Sequence, residues 1–182
     1  MVSESKDGLR AALLMAALDL LEPDGEAPSL RAVARAAGVS AMAPYRHFED
    51  KAALLAAVAD RGFTMLGDEL AKADACADAA EALFAQGVAF TRFARLHPAL
   101  FRLMFGPQYG HAGTAAIQHA DEVLDRRVAE LVPNSADAAK LACRALVQGL
   151  AMIELSGRLK PQREDDVEAA IRLFAMAIAG RK

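Results

Sequence analysis

The sequence predicts an all-α protein of about nine helices, on three observations. No window alternates Val, Ile or Thr with polar residues as a half-buried strand would. Hydrophobic residues make up 54% and aromatics only 5%, with alanine abundant, a mix that suits helices packed closely on small side chains. Prolines and glycines cut the apolar periodicity into helix-length segments. At 182 residues the chain can bury a real core, as one large domain or two small ones.

The first helix is expected from about Leu9 to Leu21, with Leu13, Leu14, Ala17, Leu18 and Leu21 on one stripe and Pro23-Asp24-Gly25 as its end. Ser29 caps the second, where Leu30, Val33, Ala34 and Ala37 fall at i, i+3, i+4 and i+7. Gly38 sits where that helix must stop, because glycine takes a left-handed conformation at almost no cost. Val39 is the apolar pin of the turn and Ser40 caps a third helix. Two short helices joined this tightly have the layout of a helix-turn-helix, whose second helix enters the major groove of DNA. The chain from Ser29 to Phe48 carries Arg31, Arg35, Arg46 and His47 and no carboxylate.

A long fourth helix is expected from about Lys51 to Lys72, opened by Glu49 and Asp50, which suit a positive helix N-terminus. Gly62 and Gly67 each cost it about 1 kcal/mol of helix propensity, for close packing against a neighbour or for a compliant pivot. A fifth runs from about Asp78 to Leu96, and His97-Pro98 breaks it. Leu100 to Phe105 makes a short sixth helix closed by Gly106-Pro107, followed by a loop from Gln108 to Gly113. The seventh runs from about Thr114 to Leu131, the eighth from Ser135 to Leu155 and the ninth from Glu164 to Ala179, with a turn over Gly157 to Gln162.

The sequence resembles the TetR family of bacterial transcription regulators. The match runs in register through Ser29-Leu30, Val33-Ala34, Ala37-Gly38-Val39-Ser40, Tyr45-Arg46-His47-Phe48, Lys51 and Leu54-Leu55. One departure is Pro44, where the family usually has another apolar residue. Proline is tolerated near the start of a helix, and this one lies four residues past the Ser40 cap. The resemblance implies a helix-turn-helix DNA-binding domain over residues 1–50 and a ligand-binding and dimerisation domain over 51–182, with the fourth helix as connector. It implies that Ser29, Ser40, Tyr45, His47 and Lys51 hold phosphates. On the helical face, Met42, Ala43 and Arg46 point to base reading: Arg46 pairs with guanine and Met42 or Ala43 touches a thymine methyl group. Arg31 and Ala41 complete the candidate interface. Phe48 reads instead as the core plug of the small domain.

A ligand cavity in the C-terminal half is also implied. Phe84, Phe90, Phe93, Phe101, Met104 and Phe105 gather half of the aromatic residues in one stretch and suit a small hydrophobic or aromatic ligand, although plain core accounts for any one of them. His119, Gln148 and Met152 are candidate polar or adaptable walls. The last two helices look apolar on more than one side, which a protomer core or a homodimer interface explains. The interface candidates are Leu146, Gly149, Ile153, Ile171, Phe174 and Ile178.

Charge and chemistry bound the alternatives. The net charge is −3, and residues 1–72 carry eight Lys/Arg against eleven Asp/Glu, so affinity for DNA must come from the local basic face. Cys76 and Cys143 lack metal or redox spacing and read as reduced thiols. Ala11 to Leu21 is too short to span a bilayer, contains Asp19 and lacks the basic lead-in and small-residue cleavage site of a signal peptide, so a cytoplasmic protein without membrane contact is expected. The four histidines show no metal pattern, no catalytic arrangement stands out, and no cofactor is expected. The expected function is a ligand-responsive regulator, a repressor released from a pseudo-palindromic operator on double-stranded DNA. The rival is a ligand-independent architectural or chromosome-organising DNA-binding protein.

Overall fold

Eight α-helices and two short 3-10 turns, with no strand among the described residues, make up the computed structural model, which describes residues 2–24, 26–107, 114–157 and 164–180. The α-helices are α1 (Val2–Asp24), α2 (Leu30–Ala36), α3 (Lys51–Ala73), α4 (Ala79–Leu96), α5 (Pro98–Met104), α6 (Ala115–Leu131), α7 (Ala136–Leu155) and α8 (Glu164–Ala179). The 3-10 turns are Pro44–Arg46 and Pro133–Ser135. The loop expected over Gln108 to Gly113, and all but Gly157 of the turn expected over Gly157 to Gln162, lie outside the described residues.

The expected third helix is the difference in helix count, and Pro44 is the reason. A helix capped at Ser40 makes its first i→i−4 bond from residue 44 to the Ser40 carbonyl, and proline has no N–H to give. The backbone tightens instead. Ala43 N–H donates to the Ser40 carbonyl at 2.9 Å, Arg46 N–H to Ala43 at 3.2 Å and His47 N–H to Pro44 at 2.9 Å. These are i→i−3 bonds, the pattern of a 3-10 turn.

Capping fixes the starts of the longer helices. Asp50 Oδ1 accepts from Ala53 N–H at 2.7 Å ahead of α3. Asp78 Oδ1 accepts from both Ala80 and Glu81 N–H at 2.9 Å ahead of α4, and Thr114 caps α6 through Ile117 N–H. Each side chain satisfies a donor that the helix leaves unpaired, and each carboxylate also meets the positive helix end.

The chain divides into two compact units, Met1–Gly62 with His97–Ala112, and Phe63–Leu96 with Gly113–Lys182. In the first, α1 packs on α2 and α5, and Leu13, Ala17, Leu30, Val33, Phe48, Leu54, Leu100 and Phe101 are buried. In the second, α4 is the shared partner of α6, α7 and α8, around a core of Leu83, Val128, Cys143, Ala175 and Ile178. Residues of α3 belong to both units. Its two glycines are points of close approach, as a Cβ on Gly62 would lie 2.5 Å from Met104 Sδ within the first unit and one on Gly67 2.5 Å from the His119 ring within the second. Among the described residues no helix is long and apolar enough to cross a membrane.

Candidate nucleic-acid interface

The turn that carries the interface is locked by its own backbone. Gly38 takes φ +69°, its N–H donates to the Arg35 carbonyl at 3.2 Å, and Val39 N–H donates to Ala34 at 3.0 Å. Those two bonds are the Schellman closure of α2, which needs a left-handed residue at position 38. Ser29 closes the other end, accepting from Ala32 N–H at 3.2 Å. Seven residues would be a marginal helix alone, so the two closures and the burial of Leu30, Val33 and Ala34 hold it.

Beyond Gly38 the chain sorts its side chains cleanly. Pro44 and Phe48 are buried, and the Arg10 guanidinium sits 5.4 Å over the Phe48 ring, tying α1 to the turn. Phe48 is therefore core, as expected. Met42 is 65% exposed and Tyr45 45%, with Ser40, Ala41 and Arg46 also exposed and Ala43 and His47 half-buried. Arg31 and Arg35 stand one helical turn apart on the exposed side of α2. Among the described residues no carboxylate holds Arg31, Arg35 or Arg46, which leaves three guanidinium groups free for an anionic partner. Lys51 differs, since its Nζ donates to the Ala27 carbonyl at 2.7 Å.

The expected ligand-site residues distribute over both units. Phe101, Met104 and Phe105 belong to the first, where Phe101 and Met104 are fully buried and the Phe101 and Phe105 rings lie 4.5 Å apart. Phe84, Phe90, Phe93, His119, Gln148 and Met152 belong to the second. Phe93 is buried, Phe84 carries the Arg172 guanidinium 3.8 Å over its ring, and His119 and Met152 are exposed. His119 Nε2 lies 3.8 Å from Asp68. A void of about 20 Å³ in the second unit is lined by Leu83, Gly87, Leu146 and Ile171 among others, and by none of these six. It has room for one water-sized guest and an apolar wall, so a larger guest requires that wall to open. Cys143 also lines it, a free cysteine whose thiol burial and the Asp125 charge push up to about 12.

The interface candidates on α7 and α8 also separate. Ile171 is 3% exposed and Ile178 8%, so both face into the protomer and have little surface to offer a partner. Leu173 at 72%, Met176 at 63% and, on α7, Leu141 and Met152 form the exposed apolar face instead. Ile153 is exposed, Gly149 has open space beside it, and Leu146 and Phe174 are half-buried. Beside this face, an open groove of about 930 Å³ runs past Ala142, Phe174 and Ala177.

One polar cluster was invisible in the sequence. Asp74, next to the last residue of α3, has a side chain only 5% exposed. Its Oδ1 accepts from Arg127 Nε at 2.6 Å and Gln86 Nε2 at 2.7 Å, and its Oδ2 from Arg126. Arg127 Nη2 also donates to the carbonyls of Asp74 and Cys76, at 3.3 and 3.1 Å. Burial alone raises the Asp74 pKa, and the hydrogen bonds and charges of Arg127 and Arg126 outweigh it, so the carboxyl is held below its ordinary value.

A helical head with a locked turn and an exposed basic face, on a chain with a second helical unit, defines the class of helix-turn-helix regulators. The chain belongs to the TetR family. The model described as "Bacterial regulatory proteins, tetR family" matches residues 13–58, and that described as "Tetracyclin repressor-like, C-terminal domain" matches residues 83–178. The chain is similar to a protein of unknown function from Rhodococcus sp. RHA1, at 35% identity over 94% of this chain and 95% of that one, with a TM-score of 0.81. Its fold is similar to that of a TetR family transcription regulator from Marinobacter aquaeolei VT8, at 24% identity over 97% and 98% of the two chains and a TM-score of 0.70. It is also similar to that of TetR-Q116A from Acinetobacter baumannii AYE in complex with minocycline, at 23% identity over 92% and 93% and a TM-score of 0.66. No curated protein sequence matches the chain. Regulators of the family bind DNA operators, form dimers and bind small-molecule ligands.

Proposed function

We propose that the protein is a ligand-responsive repressor that acts in the cytoplasm as a homodimer on a pseudo-palindromic operator. The observation that carries this reading is the Ala41–His47 turn, which exposes Ala41, Met42, Tyr45 and Arg46 and follows Arg31 and Arg35 of α2 with no carboxylate among them. In this reading Arg31, Tyr45 and His47, with the starts of α2 and the turn at Ser29 and Ser40, meet phosphates. Arg46 and Met42, both exposed on the turn, reach base edges. The exposed apolar face of α7 and α8 pairs with its copy. Ligand in the second unit then acts through α3, which carries residues of both units. Release follows when the two turns no longer match one DNA repeat, about 34–36 Å.

The similar fold solved with minocycline supports a small-molecule inducer. The second reading, a ligand-independent architectural DNA binder, draws its support from the small size of the void lined by Leu83, Gly87, Leu146 and Ile171. Arg46→Ala is the test of base reading. It should cost about 1–3 kcal/mol on the specific operator and relax the preference at one position per half-site. An equal loss on scrambled duplexes would assign Arg46 to phosphate.

A further inference from the structure

We infer that the Phe174 ring closes a binding site for a small, uncharged aromatic molecule, which enters from the groove beside α8. The inference rests on the ligand-responsive reading above and gives that reading a site and a ligand class.

Two spaces in the second unit share one wall. The open groove of about 930 Å³ follows the turn from α6 to α7 and the end of α8, and the void of about 20 Å³ lies among α4, α6, α7 and α8. Phe174 is the one residue that lines both. It stands half-buried on the α8 stripe of Ile171, Phe174, Ala175 and Ile178, whose other three members are buried.

Packing alone holds this ring. Phe84 packs against the same core and is pinned by the Arg172 guanidinium 3.8 Å over its face. Among the described residues no ring or cation stacks on Phe174. An aromatic side chain in a helix has two open χ1 wells. Its neighbours at i−4 and i+3, Ala170 and Ala177, carry only methyl groups to obstruct a change between them. A ring that turns out into the groove vacates the volume of a benzene ring, beside a void walled by Leu83, Leu146, Val147 and Ile171. An aromatic ring from outside then replaces the contacts that the chain's own ring gave up, and the void leaves room for a small substituent.

Charge selects the guest. Neither space is lined by Lys or Arg, and the Glu130 carboxylate at the groove is held by Arg127 at 3.0 Å. An anion finds no partner there, whereas an uncharged ring has no charge to desolvate. Asn134 and Ser135, exposed along the groove, can meet a polar end. A phenol has this chemistry.

Cys143 makes the site measurable, because it lines the void at 3% exposure. The experiment uses the full-length protein with Cys76→Ser, which leaves Cys143 as its single cysteine. Reaction of that thiol with 4,4′-dithiodipyridine, an uncharged aromatic disulfide, is timed with and without saturating benzene, a guest that dry apolar cavities accept. Benzene should slow the reaction severalfold in this parent, where Phe174 is intact. Phe174→Ala should speed it about tenfold or more, since local opening no longer waits on the ring. Val128→Ala is the control, as Val128 is fully buried in the same core and lines neither space. Its rate should stay within about twofold of the parent's if the thiol is reached by local opening.

Equal acceleration by Val128→Ala means that the thiol reacts through general unfolding, and overturns the inference. Protection by benzene in Phe174→Ala but not in the parent also overturns it, because the ring then never opens. So does a parent rate that rises when Leu173→Asp and Met176→Asp are added, which assigns the groove to a second copy of the chain. None of these rates involves DNA. If they come out as expected and no uncharged aromatic alters operator binding, the ligand-responsive reading fails while the site stands.

Discussion

Asp74→Ala is expected to destabilise the protein by about 3 kcal/mol, the lower end of what breaking a buried ion pair costs. The lower end applies because the arginines are not stranded together. Arg126 is 59% exposed and recovers water, and Arg127 keeps Glu130 at 3.0 Å. Gln86 loses its 2.7 Å acceptor and sits fully buried, which adds a desolvation cost. For a chain of this size the melting temperature should fall by roughly 6–12 °C. The folded pKa of Asp74 lies below its ordinary value of 3.8, so its contribution is fully present above that value and disappears as the pH falls through the folded pKa. Urea midpoints of the parent and the variant should therefore differ at pH 7 and draw together as the pH falls below 3.8. A difference that persists unchanged at pH 3 would mean that lost packing, and not the charge, accounts for the effect.

The second large effect is expected at the exposed face of α8. Replacing both Leu173 and Met176 by Asp puts unpaired charge into the proposed dimer contact, at a cost of several kcal/mol to association. Both side chains are largely exposed in the protomer, so its melting should barely change. Sedimentation should show monomers, and operator affinity should collapse with the dimer. Ile171→Asp makes the control. At 3% exposure it should unfold the protomer and leave nothing to sediment as a folded species. A folded, dimeric Leu173/Met176 double variant that binds DNA normally would remove this face from the account.

What the sequence disclosed, and what it hid, follows from the range of each interaction. The closure of α2 was legible because every atom in it lies between Ser29 and Val39, where one glycine and one serine decide the outcome. The last helix was legible to its ends, Glu164 and Ala179, because its composition changes sharply there. Pro44 lay in plain view, yet its effect depended on one particular bond, from residue 44 to the Ser40 carbonyl, and allowing proline near a helix start overlooked it. Ile171 and Leu173 could not be told apart by periodicity, since α8 is apolar most of the way round and its packing on α4 and α7 decides which side is inside. Asp74 gave no signal, as its arginines lie 52 and 53 residues away and its neighbours read as a solvated turn. The glycines of α3 hinted at either flexibility or contact, and contact is what the fold shows at both.

In the proposed dimer the Ala41–His47 turn reads DNA sequence as a symmetric pair. The direct measurement is selection of bound duplexes from a random library by the purified protein at physiological salt. Enrichment of one pseudo-palindrome, with half-sites centred about 10 base pairs or a multiple of that apart, is the predicted result. Retention of duplexes without any enriched sequence, or enrichment of a single site lacking a symmetric partner, would contradict it.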